Sequence, residues 1–139
     1  MQRRFADAST QIRLRMHQAV QALGIMLQRK VKEEKLSGQV LKVRTGRLRR
    51  DINEETIDEG DRSESTVGTP VIYGRFWELG FDGAETVKAH TRTLHGVVQQ
   101  VGSYTRHVHE VARPFLQPAL AEMRNLIVQR LSDAAAGAI

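Results

Sequence analysis

The residues in this chain that come closest to chemistry by type and spacing are three of its histidines. His107 and His109 stand two apart, so on a strand they leave the same side, and His90 could approach from a paired strand. Three imidazoles with one position left open would hold a zinc ion. No Asp or Glu stands at a recognisable motif spacing beside them, and His-Glu-x-x-His does not occur. The competing reading makes them polar residues of an exposed hairpin, or pH-sensitive contacts to a neighbour. That second reading is the one adopted, with no metal, cofactor or catalytic residue expected. Gly46 and Gly68 are isolated, with no Walker or dinucleotide fingerprint. Thr45-Gly46-Arg47 could cradle an anion at a helix start, but a glycine in a tight turn beside a cap is the preferred reading. No serine or threonine sits in a nucleophile elbow.

Charge is the stronger signal. Between Arg29 and Arg50 lie nine Lys or Arg against two acids, Glu33 and Glu34. Between Asp51 and Glu64 lie seven acids against one base, Arg62. The basic block, with Lys30, Lys32, Lys35, Lys42, Arg44, Arg47, Arg49 and Arg50, could neutralise phosphates and bind nucleic acid non-specifically. No aromatic residues interleave with it as a stacking platform would require. The same switch in sign also suits two faces that meet opposite faces of neighbouring subunits. Tyr73, Phe76, Trp77 and Phe81 place four of the seven aromatics within nine residues. Core packing is expected for Tyr73 and Phe76, and a subunit contact for the single Trp77.

These residues need a scaffold, and the hydrophobic pattern supplies one. Ile12, Met16, Val20, Leu23, Leu27 and Val31 recur at steps of three and four, which predicts a long amphipathic first helix. Gly24 inside it points to close packing. Ser37-Gly38 ends the pattern, and Val40–Val43 reads as a short strand or an extended connector. Thr45 is a favoured cap for a short turn over residues 47–50. Ile52 opens an exposed strand that breaks at Glu59-Gly60-Asp61, and 65–70 reads as a second strand stopped by Pro70. Residues 71–80 are apolar at helical spacing. Alternation over 86–111 predicts a long polar β-hairpin arm, about 82–111, with Gly96 and Gly102 at turns or bulges. Leu116, Leu120, Met123, Ile127 and Leu131 form the stripe of a last helix, with Pro114 and Pro118 in its first turn. From about residue 133 the chain is expected to fray. The fold class is therefore α+β: two long amphipathic terminal helices packed on a small antiparallel sheet, with a projecting β-hairpin arm.

At 139 residues, with no linker-like stretch, the chain reads as one domain spanning 1–139. The absence of cysteine excludes disulfides and thiol chemistry. A polar, basic start argues against a signal peptide, and no run approaches the ~18 apolar residues a membrane span needs. A cytoplasm-like compartment is expected, with no membrane partner.

Three separated blocks carry a resemblance. They are Thr45-Gly46-Arg47-Leu48-Arg49-Arg50-Asp51-Ile52, Tyr73-Gly74-Arg75-Phe76-Trp77-Glu78-Leu79-Gly80, and Ala112-Arg113-Pro114-Phe115-Leu116-Gln117-Pro118-Ala119-Leu120. Their order between two helices resembles the tail-completion, or head–tail joining, minor tail proteins of long-tailed phages, over about residues 8 to 132. One departure is Phe81 after Gly80, where the family block often runs into Gly-Thr. The resemblance implies a structural virion protein of the neck, assembled in the bacterial cytoplasm. It further implies a ring of copies, six by expectation, between a head-closure or adaptor protein and a tail terminator or tube protein. Genomic DNA would pass through its channel. The contacts expected in that ring set Arg47, Arg49 and Arg50 of one copy against Glu54, Glu55 and Asp58 of the next, with Trp77, His107 and His109 as further interface candidates. Phe76, Trp77, Phe115 and Leu116 are expected to hold the core beneath. The alternative is a DNA-binding accessory protein working through residues 29–50.

Overall fold

The computed structural model describes residues 2–43 and 45–137, so Arg44 of the basic block and the last two residues of the chain lie outside the described residues. Helix α1 spans Gln2–Lys30 and continues into a π-helical turn, Val31–Lys35. Its apolar stripe is more buried toward the C-terminal end: Ile12 is exposed, Met16, Val20 and Leu27 are half-buried, and Leu23 and Val31 are buried. Two strands, β1 (Asn53–Asp58) and β2 (Ser63–Gly68), form an antiparallel hairpin with Glu55 opposite Thr66 and Ile57 opposite Glu64. That hairpin lies on α1. Gln28 on the helix donates its side-chain amide to the Ile52 carbonyl at 2.8 Å. The contact depends on Gly24, where a Cβ would stand 1.9 Å from Ser65 Oγ and 2.9 Å from Ser65 Cβ. Rotating the hydroxyl away does not relieve the second clash. Gly24→Ala should therefore destabilise the protein by about 1–2 kcal/mol, despite the ~1 kcal/mol that alanine gains in helix propensity. A lower urea midpoint at unchanged m-value checks this.

Helix α2 (Arg47–Arg50) is one turn, and α3 spans Ile72–Leu79. The arm follows. Strand β3 (Phe81–Val87) pairs with β6 (Tyr104–Glu110), and β4 (His90–Leu94) pairs with β5 (Val97–Val101). Leu94 opposes Val97 across the two-residue turn His95-Gly96, with φ of 50° and 80°. Positive φ at both positions is the turn geometry that matches the twist of a tight hairpin. Helix α4 (Leu116–Ala136) runs antiparallel to α1, since Arg15 donates to the Ala134 carbonyl at 3.2 Å while Lys35 reaches Glu122 at 2.5 Å. The core gathers Val31, Leu36, Leu41, Ile52, Phe115 and Ala119.

The α+β reading of two terminal helices, small antiparallel sheets and a hairpin arm agrees with this arrangement. Of the strand or connector left open for residues 40–43, the structure has the connector, with Leu41 buried in the core. Several other local expectations do not hold. The cap of α2 is Gly46 in the left-handed region, and Thr45 instead accepts a weak bond from the Arg47 N–H at 3.4 Å. Of the expected α4 stripe, Met123 is buried and Leu116, Ile127 and Leu131 are half-buried, but Leu120 is 49 % exposed and the adjacent Ala119 takes the buried position in its place. The helix continues to Ala136, and residues 138 and 139 of the stretch expected to fray lie outside the described residues. Ala134 is fully buried, and Gly137, at φ 76°, closes the end by donating to the Ala134 and Asp133 carbonyls.

Candidate functional site

The three sequence blocks meet in space, and Glu78 joins two of them. Its carboxylate accepts backbone N–H groups of Phe115 (2.7 Å), Leu116 (2.9 Å) and Gln117 (2.8 Å). A helix start leaves four N–H donors without partners. Here the carboxylate takes three, and the fourth position is Pro118, which has none. The negative charge also lies at the positive end of the helix dipole. Beside it the Arg113 N–H donates to the Trp77 carbonyl at 2.6 Å, and the Arg113 guanidinium lies 5.7 Å from the Trp77 ring centroid. Gly74 of the second block is the point of closest approach. A Cβ there would meet Leu48 of the first block at 3.0 Å and Phe115 of the third at 3.8 Å. Gly80 turns the chain into the arm at φ 75°, ψ 171°, a region only glycine adopts readily. A Cβ there would lie 3.0 Å from the Glu110 carbonyl oxygen.

Above this junction lies a groove of about 800 Å³. Leu36, Leu41, Leu48, Tyr73 and Trp77 form its apolar wall, and Lys42, Arg47, Arg49 and Arg113 are its cations. The volume falls in the ~300–1,000 Å³ range of clefts that receive ligands or short segments of a partner. Arg49 is steadied from behind, its Nε donating to the Lys32 carbonyl at 3.1 Å, and Arg47 is 3.4 Å from Asp51.

The rest of the basic block is less available than its sequence implies. Lys30 pairs with Glu34 at 2.5 Å and with Glu122 at 3.0 Å, and Lys35 pairs with Glu122 at 2.5 Å. Hydrogen bonds from Lys35 and then Lys30 hold the Glu122 carboxyl below the usual range, and Glu34 and then Glu122 raise Lys30. These cations tie α1 to α4.

The acids divide similarly. Glu54 faces inward, accepting from Ser65 Oγ at 2.7 Å and from Thr56, beneath Gly24. Glu55 and Asp58 are exposed, with Asp58 3.7 Å from His17 Nδ1. Arg47, Arg49 and Arg50 are all exposed on α2. Tyr73 and Phe76 depart from the core expectation, at 39 % and 40 % exposed. Phe76 packs on Phe81, ring centroids 5.1 Å apart, while Trp77 is half-buried against the core.

His90 does not approach the other two histidines. It opposes Val101 near the arm's outer half, whereas His107 and His109 lie on β6 beside β3. Their partner is Asp82, 2.6 Å from His107 Nε2 and 3.3 Å from His109 Nδ1. Sequence reading missed three contributors: the capping role of Glu78, and Lys42 and Arg113 as groove cations. A carboxylate 37 to 39 residues before the N–H groups it caps leaves no local signature, although Glu78 lies within the second block.

Among the described residues no helix is long and apolar enough to cross a membrane. A protein-family model described as "Bacteriophage HK97-gp10, putative tail-component" matches residues 1–80. That span holds α1 through α3 and the first two blocks, and the arm and third block lie beyond it. No curated protein and no solved structure matches the chain.

Proposed function

The chain belongs to this family of phage tail components, and from that premise we propose that it is a ring-forming subunit of the virion neck that joins the head-closure complex to the tail. Its role in the virion is structural, and its partners include other virion proteins. The ring reading adds copies of itself, six as the expected number, with a head-closure or adaptor protein on one side and a tail terminator or tube protein on the other. Genomic DNA would pass through the ring, which would be assembled in the host cytoplasm from single-domain subunits.

The observation that carries this reading is polarity. The cationic groove lies at the π-turn end of α1, and the acidic turn of the β1–β2 hairpin lies near His17, whose Nδ1 is 3.3 Å from Ser63 Oγ. Eighteen residues of helix separate His17 from Lys35, so the two surfaces stand roughly 27 Å apart at 1.5 Å per residue. Opposite charge at opposite ends favours head-to-tail contacts, which close into rings when the rotation permits. The arm, exposed along both faces of β4 and β5, suits contact with the next protein along the axis. The ion-paired state of Lys30 and Lys35 counts against the rival reading of residues 29–50 as a DNA-binding surface.

Deleting the gene tests the joining role. Electron microscopy of the lysate should show filled heads and finished tails lying apart, with joining restored by the intact gene. Normally joined particles in the deletion strain would refute the role.

A further inference from the structure

We propose that the groove of one copy is the socket for the β1–β2 hairpin of the next. This rests on the ring reading above and names its contact.

The hairpin alternates. Glu54, Thr56, Ser65 and Val67 are half-buried toward α1, which leaves Glu55, Ile57, Glu64 and Thr66 on the outer face. Ile57 is 51 % exposed, with Glu55 beside it and Glu64, which pairs with Arg62, opposite it on the outer face, and with Asp58, Glu59 and Asp61 toward the turn. The turn itself is held by the Glu59 N–H donating to the Arg62 carbonyl at 2.8 Å and the Gly60 N–H donating to Asp58 Oδ1 at 2.9 Å. Such a turn is a preformed projection, with little ordering cost on docking.

The groove has the complementary pattern, an apolar wall with cations about it. Among the described residues Lys42, Arg49 and Arg113 make no ion pair within the subunit, and neither do Glu55, Glu59 and Asp61 on the hairpin. Ile57 would seat against Tyr73 and Leu48 while the two sets of charges neutralise one another. Apolar contact at the centre with charges outside is the usual anatomy of a protein interface. Because the two surfaces are different, the contact is heterologous, and each copy keeps one socket and one hairpin for its two neighbours.

The chain contains no cysteine, so the contact can be trapped with single introduced thiols. Ile57→Cys protein is mixed with Tyr73→Cys protein under mild oxidation, and disulfide-linked dimers are read on a non-reducing gel. Trapping captures transient encounters, so it works even where the free protein is mostly monomeric. The expected yield is at least about tenfold above a control pair of Ile57→Cys with Val128→Cys, whose partner site is exposed on α4. Adding Glu59→Lys and Asp61→Lys to the Ile57→Cys chain should cut that yield at least about fivefold, and raised salt should do the same. A chain carrying both Ile57→Cys and Tyr73→Cys should give a ladder of multimers. A yield no better than control overturns the socket, as does efficient trapping of Tyr73→Cys with itself, which would mean that two grooves face each other. If native mass spectrometry shows a closed ring while tip and groove do not cross-link, the socket fails and the ring reading stands. If neither is seen, both fail.

Discussion

Truncating Phe115 to alanine is expected to lower the unfolding free energy by about 4 kcal/mol, the range for deleting a fully buried aromatic ring. Phe115 has no exposed surface and is the largest side chain in the core. It packs where Val31, Leu36, Leu41 and Ile52 converge, and its ring reaches Gly74 on α3. Relaxation is limited because its neighbours come from four separate segments, each fixed by its own hydrogen bonds, so a cavity remains. Urea unfolding should show a midpoint shift accounting for the whole change at constant m-value. A loss below ~1.5 kcal/mol would mean that the site collapses freely and that the junction is looser than its packing implies.

The second large effect is expected at Glu78. Glu78→Ala removes three charge-assisted hydrogen bonds and leaves the N–H groups of Phe115, Leu116 and Gln117 without their acceptor. Water reaches part of this site, Glu78 being half-buried, so the cost is set nearer that of a strong helix cap than that of three buried bonds. About 2–3 kcal/mol is expected, with a fall in Tm on the order of 10 °C. Glu78→Gln keeps an acceptor but gives up the charge at the helix end, and should lose about half as much. Equal losses for the two variants would show that the charge, and not the acceptor geometry, is what α4 needs.

Where periodicity is local, the fold was legible. The 3.6-residue recurrence from Ile12 to Val31 marks α1 and its buried face. Gly24 marks the site where that helix meets Ser65, and Gly96 lies in the turn of the arm. The failures share a cause, dependence on distant partners. Glu122 neutralises Lys35 from 87 residues away, so a block that reads as uniformly basic is partly consumed in holding two helices together. The face of α4 is set by the Glu78 cap and the Phe115 anchor, which turn Ala119 inward and Leu120 out. Aromatic clustering points to core packing for Tyr73 and Phe76, yet α3 has only eight residues and buries Gly74 alone, which leaves Ile72, Tyr73, Phe76 and Leu79 accessible. The acids were read as one surface, whereas strand alternation sends Glu54 under α1 and Glu55 outward. For the candidate interface, charge sign was readable and selection among like charges was not. What separates Lys42, Arg49 and Arg113 from Lys30 and Lys35 is their set of neighbours in space.

The most direct test of the central claim is to locate the chain in assembled particles. An epitope tag on the chain, decorated with gold-labelled antibody and viewed by negative-stain electron microscopy, should place gold at the junction of head and tail. Quantitative mass spectrometry of the same particles should give a fixed copy number, six on this reading. Gold along the tail tube or at its distal tip, or particles that join normally without the protein, would contradict a neck ring.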